Sequence, residues 1–233
     1  MEAKFKRIML KLSGEALCGD KEPIDFKAVD DIADEIADVV RMGVEVGVVV
    51  GGGNIWRGRK SCDTDKNRAD HMGMLATAIN SLAFQSSLLN RNIPCKVLSA
   101  VPMDIICEPY TSRAANEYLD NNTVVIFACG TGSPFFTTDT AAALRAAETY
   151  SDVLLLAKNV DAVYSDDPVK NPNAVKYSHL SFEQVIAKQL KATDLTAITL
   201  CSEQKIPIIV FALRDTGCLK GIVCGKEAGT LID

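Results

Sequence analysis

Apolar residues fall along the chain in two alternating patterns. Short, nearly continuous runs rich in Val, Ile and Leu occupy 7–12, 44–50, 95–98, 123–128, 153–157 and 207–211. Runs of that length with little polar alternation predict strands of a parallel sheet covered on both faces. Between the first two runs, Phe26, Val29, Ile32, Ile36, Val39 and Val40 recur at steps of three and four. Asp25 stands at an N-cap position and Gly43 just past the end, so the segment reads as an amphipathic helix. Its other face carries Asp30, Asp31, Asp34, Glu35 and Asp38, expected to be solvated rather than metal-binding. A longer helix is expected over 68–90, where Met72 and Met74 read as core or subunit-interface packing, with pocket lining as the alternative. Further helices are expected at 139–149, 181–191 and 194–204.

Strand and helix alternate throughout, which predicts an α/β fold with a predominantly parallel central sheet sandwiched by helices. No Ser/Gly linker, low-complexity tract or internal repeat divides the sequence. One domain over 1–233 is expected, with two lobes either side of a cleft.

Composition removes several function classes. Thirty acidic against twenty-five basic residues give a net charge of −5, which disfavours a general nucleic-acid binder. A phosphorylated small ligand, needing only a few local cations, stays open. The apolar runs are far short of the ~20 residues of a membrane span, and Met1, Glu2, Lys4, Lys6 and Arg7 lead straight into a strand without a signal-type apolar region. A cytoplasmic protein is expected. The eight cysteines contain no Cys-x-x-Cys, and only His71 and His179 could join them on zinc. They read as small buried residues in a reducing compartment.

Candidate chemistry gathers at the carboxyl ends of the strands, where open parallel sheets bind ligands. Three of those ends carry glycine: Lys11-Leu12-Ser13-Gly14, Gly51-Gly52-Gly53-Asn54 and Gly130-Thr131-Gly132-Ser133. Glycine lets the main chain approach a ligand and turn its N–H groups toward anionic oxygens. Three such turns on one sheet edge point to phosphate binding. The P-loop pattern, G-x-G-x-x-G and G-x-S-x-G are all absent, which disfavours a P-loop enzyme, a nicotinamide dehydrogenase and an α/β-hydrolase.

Cations and carboxylates accompany the glycines. Lys11 ends the first strand, Arg57 and Arg59 follow the second turn, and Asp139 stands where the third loop enters a helix. Asp139 reads either as a simple N-cap or as a site carboxylate. Asp161, Asp166, Asp167 and Pro168 crowd the loop after the fifth strand, where turn chemistry also accounts for them. Lysine, arginine and aspartate at phosphate-cradling loops are what phosphoryl transfer requires.

Four blocks carry a family resemblance: Lys11-Leu12-Ser13-Gly14-Glu15-Ala16-Leu17, Gly51-Gly52-Gly53-Asn54-Ile55-Trp56-Arg57-Gly58, Asp70-His71-Met72-Gly73-Met74-Leu75-Ala76-Thr77 and Thr131-Gly132-Ser133-Pro134-Phe135-Phe136-Thr137-Thr138-Asp139. With Asp194-Leu195-Thr196-Ala197 and the closing Gly225-Lys226-Glu227-Ala228-Gly229-Thr230-Leu231-Ile232, the sequence resembles the bacterial uridylate kinases of the amino-acid-kinase superfamily. The resemblance implies a three-layer αβα sandwich, a homohexamer, and the reaction ATP + UMP → ADP + UDP. Mg²⁺ would come with ATP through the nucleotide phosphates, no protein ligand being assigned to it. GTP and UTP are implied as effectors.

By position, the resemblance places Lys11, Leu12, Ser13, Gly14, Gly53 and Arg57 on the ATP phosphates, and Tyr164 and Asp167 on the adenosine. The adenine-side residue aligns as Lys158 or Asn159, and Ala162 replaces the glycine usual in the family. Gly52, Asp70, Thr131, Gly132, Ser133, Pro134, Phe135, Phe136, Thr137 and Thr138 would hold UMP, with Asp70 on the ribose hydroxyls and Phe135 and Phe136 walling the pyrimidine. Lys11, Asp139 and Asp194 form the implied catalytic set, Asp194 positioning the lysine. The acceptor is itself a phosphate with a second pKa near ~6, so no general base is needed. Two readings compete: a kinase of the same fold making an acyl phosphate, and a uridine-nucleotide sensor without catalysis.

Overall fold

The protein is described by a computed structural model over residues 2–19, 22–57, 65–190, 193–213 and 217–233. The strands are β1 (Arg7–Leu12), β2 (Glu45–Val50), β3 (Cys95–Ser99), β4 (Glu108–Pro109), β5 (Val124–Ala128), β6 (Val153–Lys158), β7 (Val163–Tyr164), β8 (Lys176–Tyr177), β9 (His179–Leu180), β10 (Ile208–Ala212) and β11 (Thr230–Ile232). The helices are α1 (Phe26–Arg41), α2 (Lys66–Asn90), α3 (Ser112–Asp120), α4 (Thr138–Glu148), α5 (Phe182–Ala187), α6 (Leu195–Gln204) and α7 (Cys218–Val223), with a 3₁₀ turn at Gly14–Leu17.

All six expected strands are present to within a residue or two at each end. They form the middle of one sheet in the order β4-β3-β5-β2-β1-β6-β10-β11-β9, parallel except where β11 runs against β10. Each strand sends alternate residues to opposite faces. Ile8, Leu10 and Leu12 of β1 join Val46, Val48 and Val50 of β2 against α1, α2 and α7. Met9, Val49, Phe127, Leu154 and Leu156 join the other core, against α3, α4 and α6. Helices on both faces make the three-layer α/β sandwich that the apolar runs predict. The same alternation puts Lys11, two residues after Met9, and Lys158, two after Leu156, on the α4 face at the carboxyl ends of their strands.

Several shorter elements escaped the sequence pattern: α3, α7, β4, β7, β8, β9 and β11. The helix expected at 181–191 ends at Ala187, because Gln189 turns left-handed (φ +50°) and Leu190 N–H bonds back to the Val185 carbonyl at 3.1 Å. Position 191 lies outside the described residues, as do Gly58, Arg59 and Cys62.

The acidic face of α1 corrects the expectation of simple solvation. Glu35 is buried and accepts from the N–H groups of Gly217 and Leu219, the latter at 3.0 Å. It thereby caps α7, whose own N-cap residue is a glycine with no side chain to do so. Asp30 and Asp34 grip Arg91 at the end of α2, with Arg91 Nε 2.6 Å from Asp34 Oδ1. Cys95, Cys107, Cys129 and Cys201 are buried, in line with core packing. Among the described residues no helix is long and apolar enough to cross a membrane.

Candidate active site

The three glycine-bearing strand ends meet at one edge of the sheet. Gly14 sits so close to the second turn that a Cβ there would stand 2.6 Å from Asn54 Oδ1 and 2.8 Å from the Gly51 carbonyl. Only glycine allows this approach. Asn80, fully buried in α2, locks the turn from beneath: its Nδ2 donates to the Gly51 carbonyl at 2.7 Å and to Asn54 Oδ1 at 2.8 Å.

A cavity of 170 Å³ opens between this turn, the start of α2 and the loop after β5. Of the residues expected to hold UMP, Gly52, Asp70, Thr131, Ser133, Phe136, Thr137 and Thr138 line it; so do Gly53, Trp56, Thr77 and Cys129. Gly132, Pro134 and Phe135 do not. Gly132 (φ +78°) packs against Ala100 instead. Phe135 corrects the expectation of two phenylalanine walls: it is 61% exposed, and Lys66 Nζ sits 4.6 Å from its ring centroid. Its N–H donates to Asp70 Oδ2 at 2.8 Å, so Asp70 closes the loop as well as lining the cavity. Thr77 Oγ1 accepts from Cys129 N–H at 2.8 Å and donates to the Met74 carbonyl at 2.7 Å.

A second cavity, of 790 Å³, lies on the α4 face and shares Thr137 and Thr138 with the first. Lys11, Asp139, Lys158, Thr193 and Asp194 stand along it, with Val185, Ile186, Leu190, Leu195 and Ile198 as apolar walls. At the junction, Asp139 bridges two lysines: Lys11 Nζ is 2.6 Å from Oδ1 and Lys158 Nζ 2.5 Å from Oδ2. Thr193 Oγ1 adds a bond to Oδ2 at 2.7 Å. Burial alone would push the Asp139 carboxyl up, but the two ammonium groups overcome it and hold it well below the usual carboxylate range. Lys11 is lowered from the ordinary lysine value, because burial and the neighbouring Lys158 outweigh the attraction of Asp139.

Asp139 is not the helix cap. Thr137 takes that position, its Oγ1 accepting from Asp139 N–H and Thr140 N–H at 3.1 Å each, which leaves the Asp139 carboxylate to the lysines. Asp194 does not pair with Lys11. It caps α6 through Ala197 N–H at 2.8 Å and accepts from the hydroxyls of Thr137 and, at 2.9 Å, Thr140. It thus fixes the start of α4, which carries Asp139.

The remaining residues expected to meet ATP are dispersed. Leu12, Lys158 and Asn159 line a third cavity, of 670 Å³, against α1. Arg57 pairs with Glu15 and donates from Nε to the Gly53 carbonyl at 3.0 Å. Asn159 Nδ2 donates to the other Glu15 oxygen at 2.7 Å. Ser13 precedes the 3₁₀ turn, its carbonyl accepting from Ala16 N–H at 3.0 Å. Tyr164 and Asp167 line none of these three cavities. Tyr164 OH donates to Asp161 Oδ1 at 2.8 Å, and Asp167 accepts from Val169 N–H at 3.0 Å in a tight turn.

Sequence reasoning missed Thr77, Asn80, Glu15 and Thr193. The one readable signal was polarity inside an apolar helix, since Thr77 and Asn80 interrupt the Met/Ala/Leu face of α2.

A profile of the Amino acid kinase family matches residues 6–212. A UMP kinase from Bacillus anthracis superposes with TM-score 0.95 at 37% identity, over 98% of this chain and 96% of that one. A UMP kinase from Ureaplasma parvum gives 0.92 at 39% identity, over 98% of each chain. A uridylate kinase from Archaeoglobus fulgidus gives 0.75 at 28% identity, over 97% of this chain and 99% of that one. Matched from the first strand through the tenth, the chain belongs to the amino acid kinase family.

Proposed function

We propose that the protein is a UMP kinase, transferring the γ-phosphoryl group of ATP to UMP to give ADP and UDP. The observation that carries this reading is the junction of two cavities at Thr137 and Thr138, with the Lys11–Asp139–Lys158 bridge beside it. The smaller cavity takes UMP and the larger the phosphates of ATP. A phosphate oxygen of UMP forms the new bond to the γ-phosphorus. The bond from that phosphorus to the β–γ bridging oxygen breaks, leaving its electron pair on ADP. UMP is already a dianion at neutral pH, with a second pKa near ~6, so no residue needs to remove a proton. Lys11 and Lys158 offset charge on the migrating group, and the amino end of α4 adds its own positive potential. Asp139 holds the two ammonium groups apart and in place.

Magnesium fits this site as a passenger of the donor. Among the described residues no group of three His, Cys, Asp or Glu side chains converges, and Asp139 is already bonded to two lysines and a threonine. An ion with its usual retained waters would be held through the ATP phosphates, where it supplies further charge neutralisation.

Incubation with ATP and a panel of UMP, CMP, acetylglutamate and carbamate tests the reading. ADP and UDP are expected, with UMP preferred over CMP, whose base edge carries the opposite donor pattern. Turnover of a carboxylate or carbamate in place of UMP overturns it, as does tight uridine-nucleotide binding without ADP release. The exposed stripe of Met72, Leu75 and Ile79 on α2 supports assembly of copies of the chain into the expected hexamer. A monomeric mass by light scattering at micromolar concentration overturns that part.

A further inference from the structure

The loop after β5 is the least relaxed stretch of main chain at the site. Cys129, Gly130, Gly132 and Phe135 all take left-handed φ values, from +60° to +78°. Two of these are not glycine, and such conformations persist only where the surroundings enforce them. Thr77 holds Cys129 N–H and Asp70 holds Phe135 N–H, as described above.

A third anchor comes from beneath. Arg145 in α4 is 3% exposed, and its Nη2 donates to the Gly130 carbonyl at 3.1 Å. The guanidinium sits over the Tyr110 ring, its Cζ 3.7 Å from the centroid, and Nη1 bonds Glu148 Oε2 at 2.5 Å. The Tyr110 hydroxyl donates to the same Glu148 oxygen, and its ring meets Phe127 edge-on at 5.7 Å. Nε has no hydrogen-bond partner among the described residues.

Burying a cation with one N–H unmatched is costly, and an apolar side chain would fill the space without that cost. An ion pair with Glu148 does not explain it, since two residues three apart on a helix can pair at the surface. What burial adds is reach to the Gly130 carbonyl at the head of the loop whose Thr131 and Ser133 line the smaller cavity.

We propose that Arg145 is a positioning residue for the acceptor nucleotide: its guanidinium, clamped by Tyr110 and Glu148, holds the Gly130 carbonyl and so sets the 129–137 loop for binding. The identity of that nucleotide as UMP rests on the function proposed above; the role of Arg145 does not. A compact ammonium lacks the planar, spread fork that lets one side chain cover a ring while bonding acceptors on two sides of it.

The test compares wild type with Arg145→Lys and, should that variant fail to fold, with Tyr110→Leu, which removes the stacking face but keeps the arginine. In the ligand-free protein, hydrogen exchange at amides 129–137 is expected to quicken in the variant while β5 and α4 stay as protected as in wild type. In the assay, KM for the acceptor is expected to rise about tenfold, with kcat falling less than about threefold and KM for ATP within about twofold. Trp56, the one tryptophan of the sequence, lines the acceptor cavity and gives an independent titration with UMP. A lowered Tm with exchange and acceptor KM unchanged overturns the proposal, as does an equal rise in both KM values. If wild type phosphorylates another acceptor and not UMP, the functional reading fails, and the same KM split on that acceptor still decides the role of Arg145. If it phosphorylates nothing, the exchange pattern alone decides it.

Discussion

The two halves of the site are held by different forces. On the acceptor side, single side chains grip main-chain groups: Thr77 on Cys129, Asn80 on Gly51, Asp70 on Phe135 and Arg145 on Gly130. On the donor side, charges grip one another: Lys11 and Lys158 on Asp139, Arg57 on Glu15. The first half is shaped before any ligand arrives. In the second, the polyphosphate of the proposed reaction would exchange ion pairs already made for new ones, so its binding energy would be a difference between two charged states. The proposed function therefore places selectivity in the acceptor half and charge handling in the donor half.

The largest break in that contrast is at Lys11. Lys11→Ala is expected to lower kcat by about 10²–10³-fold, or about 3–4 kcal/mol, with little change in KM for UMP. Lys11→Arg should rescue only partly, because a planar fork replaces a compact ammonium poorly. Near wild-type kcat with only a raised KM for ATP in a folded Lys11→Ala would make it a binding residue. The pH profile sharpens the same point. Burial disfavours the charged form of Lys11, so the alkaline limb of kcat/KM should fall below the ordinary lysine value of 10.5. Asp139 is depressed, so its contribution to stability is present above its ordinary value of 3.8 and is lost as pH falls below that. The acid limb of activity should accordingly follow the acceptor phosphate, near pH ~6, and not Asp139.

The next effect is expected on the other half. Thr77→Val keeps the volume but leaves the buried Cys129 N–H without its acceptor, at about 1–3 kcal/mol. KM for UMP should rise about tenfold while KM for ATP holds, read from paired saturation curves. Equal changes in both would erase the distinction between the halves. The smallest effect is expected at Glu15. Its pair with Arg57 is substantially exposed (48% and 36%), so Glu15→Gln should lower KM for ATP by no more than about threefold. A rise of tenfold would mean that Glu15 builds the donor site rather than competing within it.

The sequence made the six central strands readable because both faces of each are buried, and a doubly buried strand shows its whole length as an apolar run. Long helices with caps were readable for a similar reason. What escaped was whatever owes its form to a distant residue. Helix α7 has six residues and a glycine cap, and it is capped by Glu35 from another helix. The β7–β8 hairpin is tied down by Thr230, whose Oγ1 accepts from Val163 N–H at 2.8 Å and donates to the Tyr177 carbonyl. At the site, residue types at strand ends gave Lys11 and Asp139, but no local pattern says that Asp139 serves two lysines or that Thr137 relieves it of capping. Asp194 was assigned only through the resemblance, as the residue that positions Lys11. Its bonds run to threonines of α4, which sequence separation alone does not reveal.

The antiparallel step at the edge of the sheet bears on the order in which the protein is made. β11 comes last along the sequence yet lies inside the sheet, between β10 and β9, with Leu231 opposite His179 and Ile232 opposite Ile208. Among the described residues β9 has no other strand beside it. While the ribosome is still translating α6 and β10, β9 lacks its strand partner and the hairpin ahead of it lacks its tie to Thr230. Synthesis from the amino end therefore leaves this corner waiting as an open edge, exposed to wrong pairings, until β11 emerges to close it.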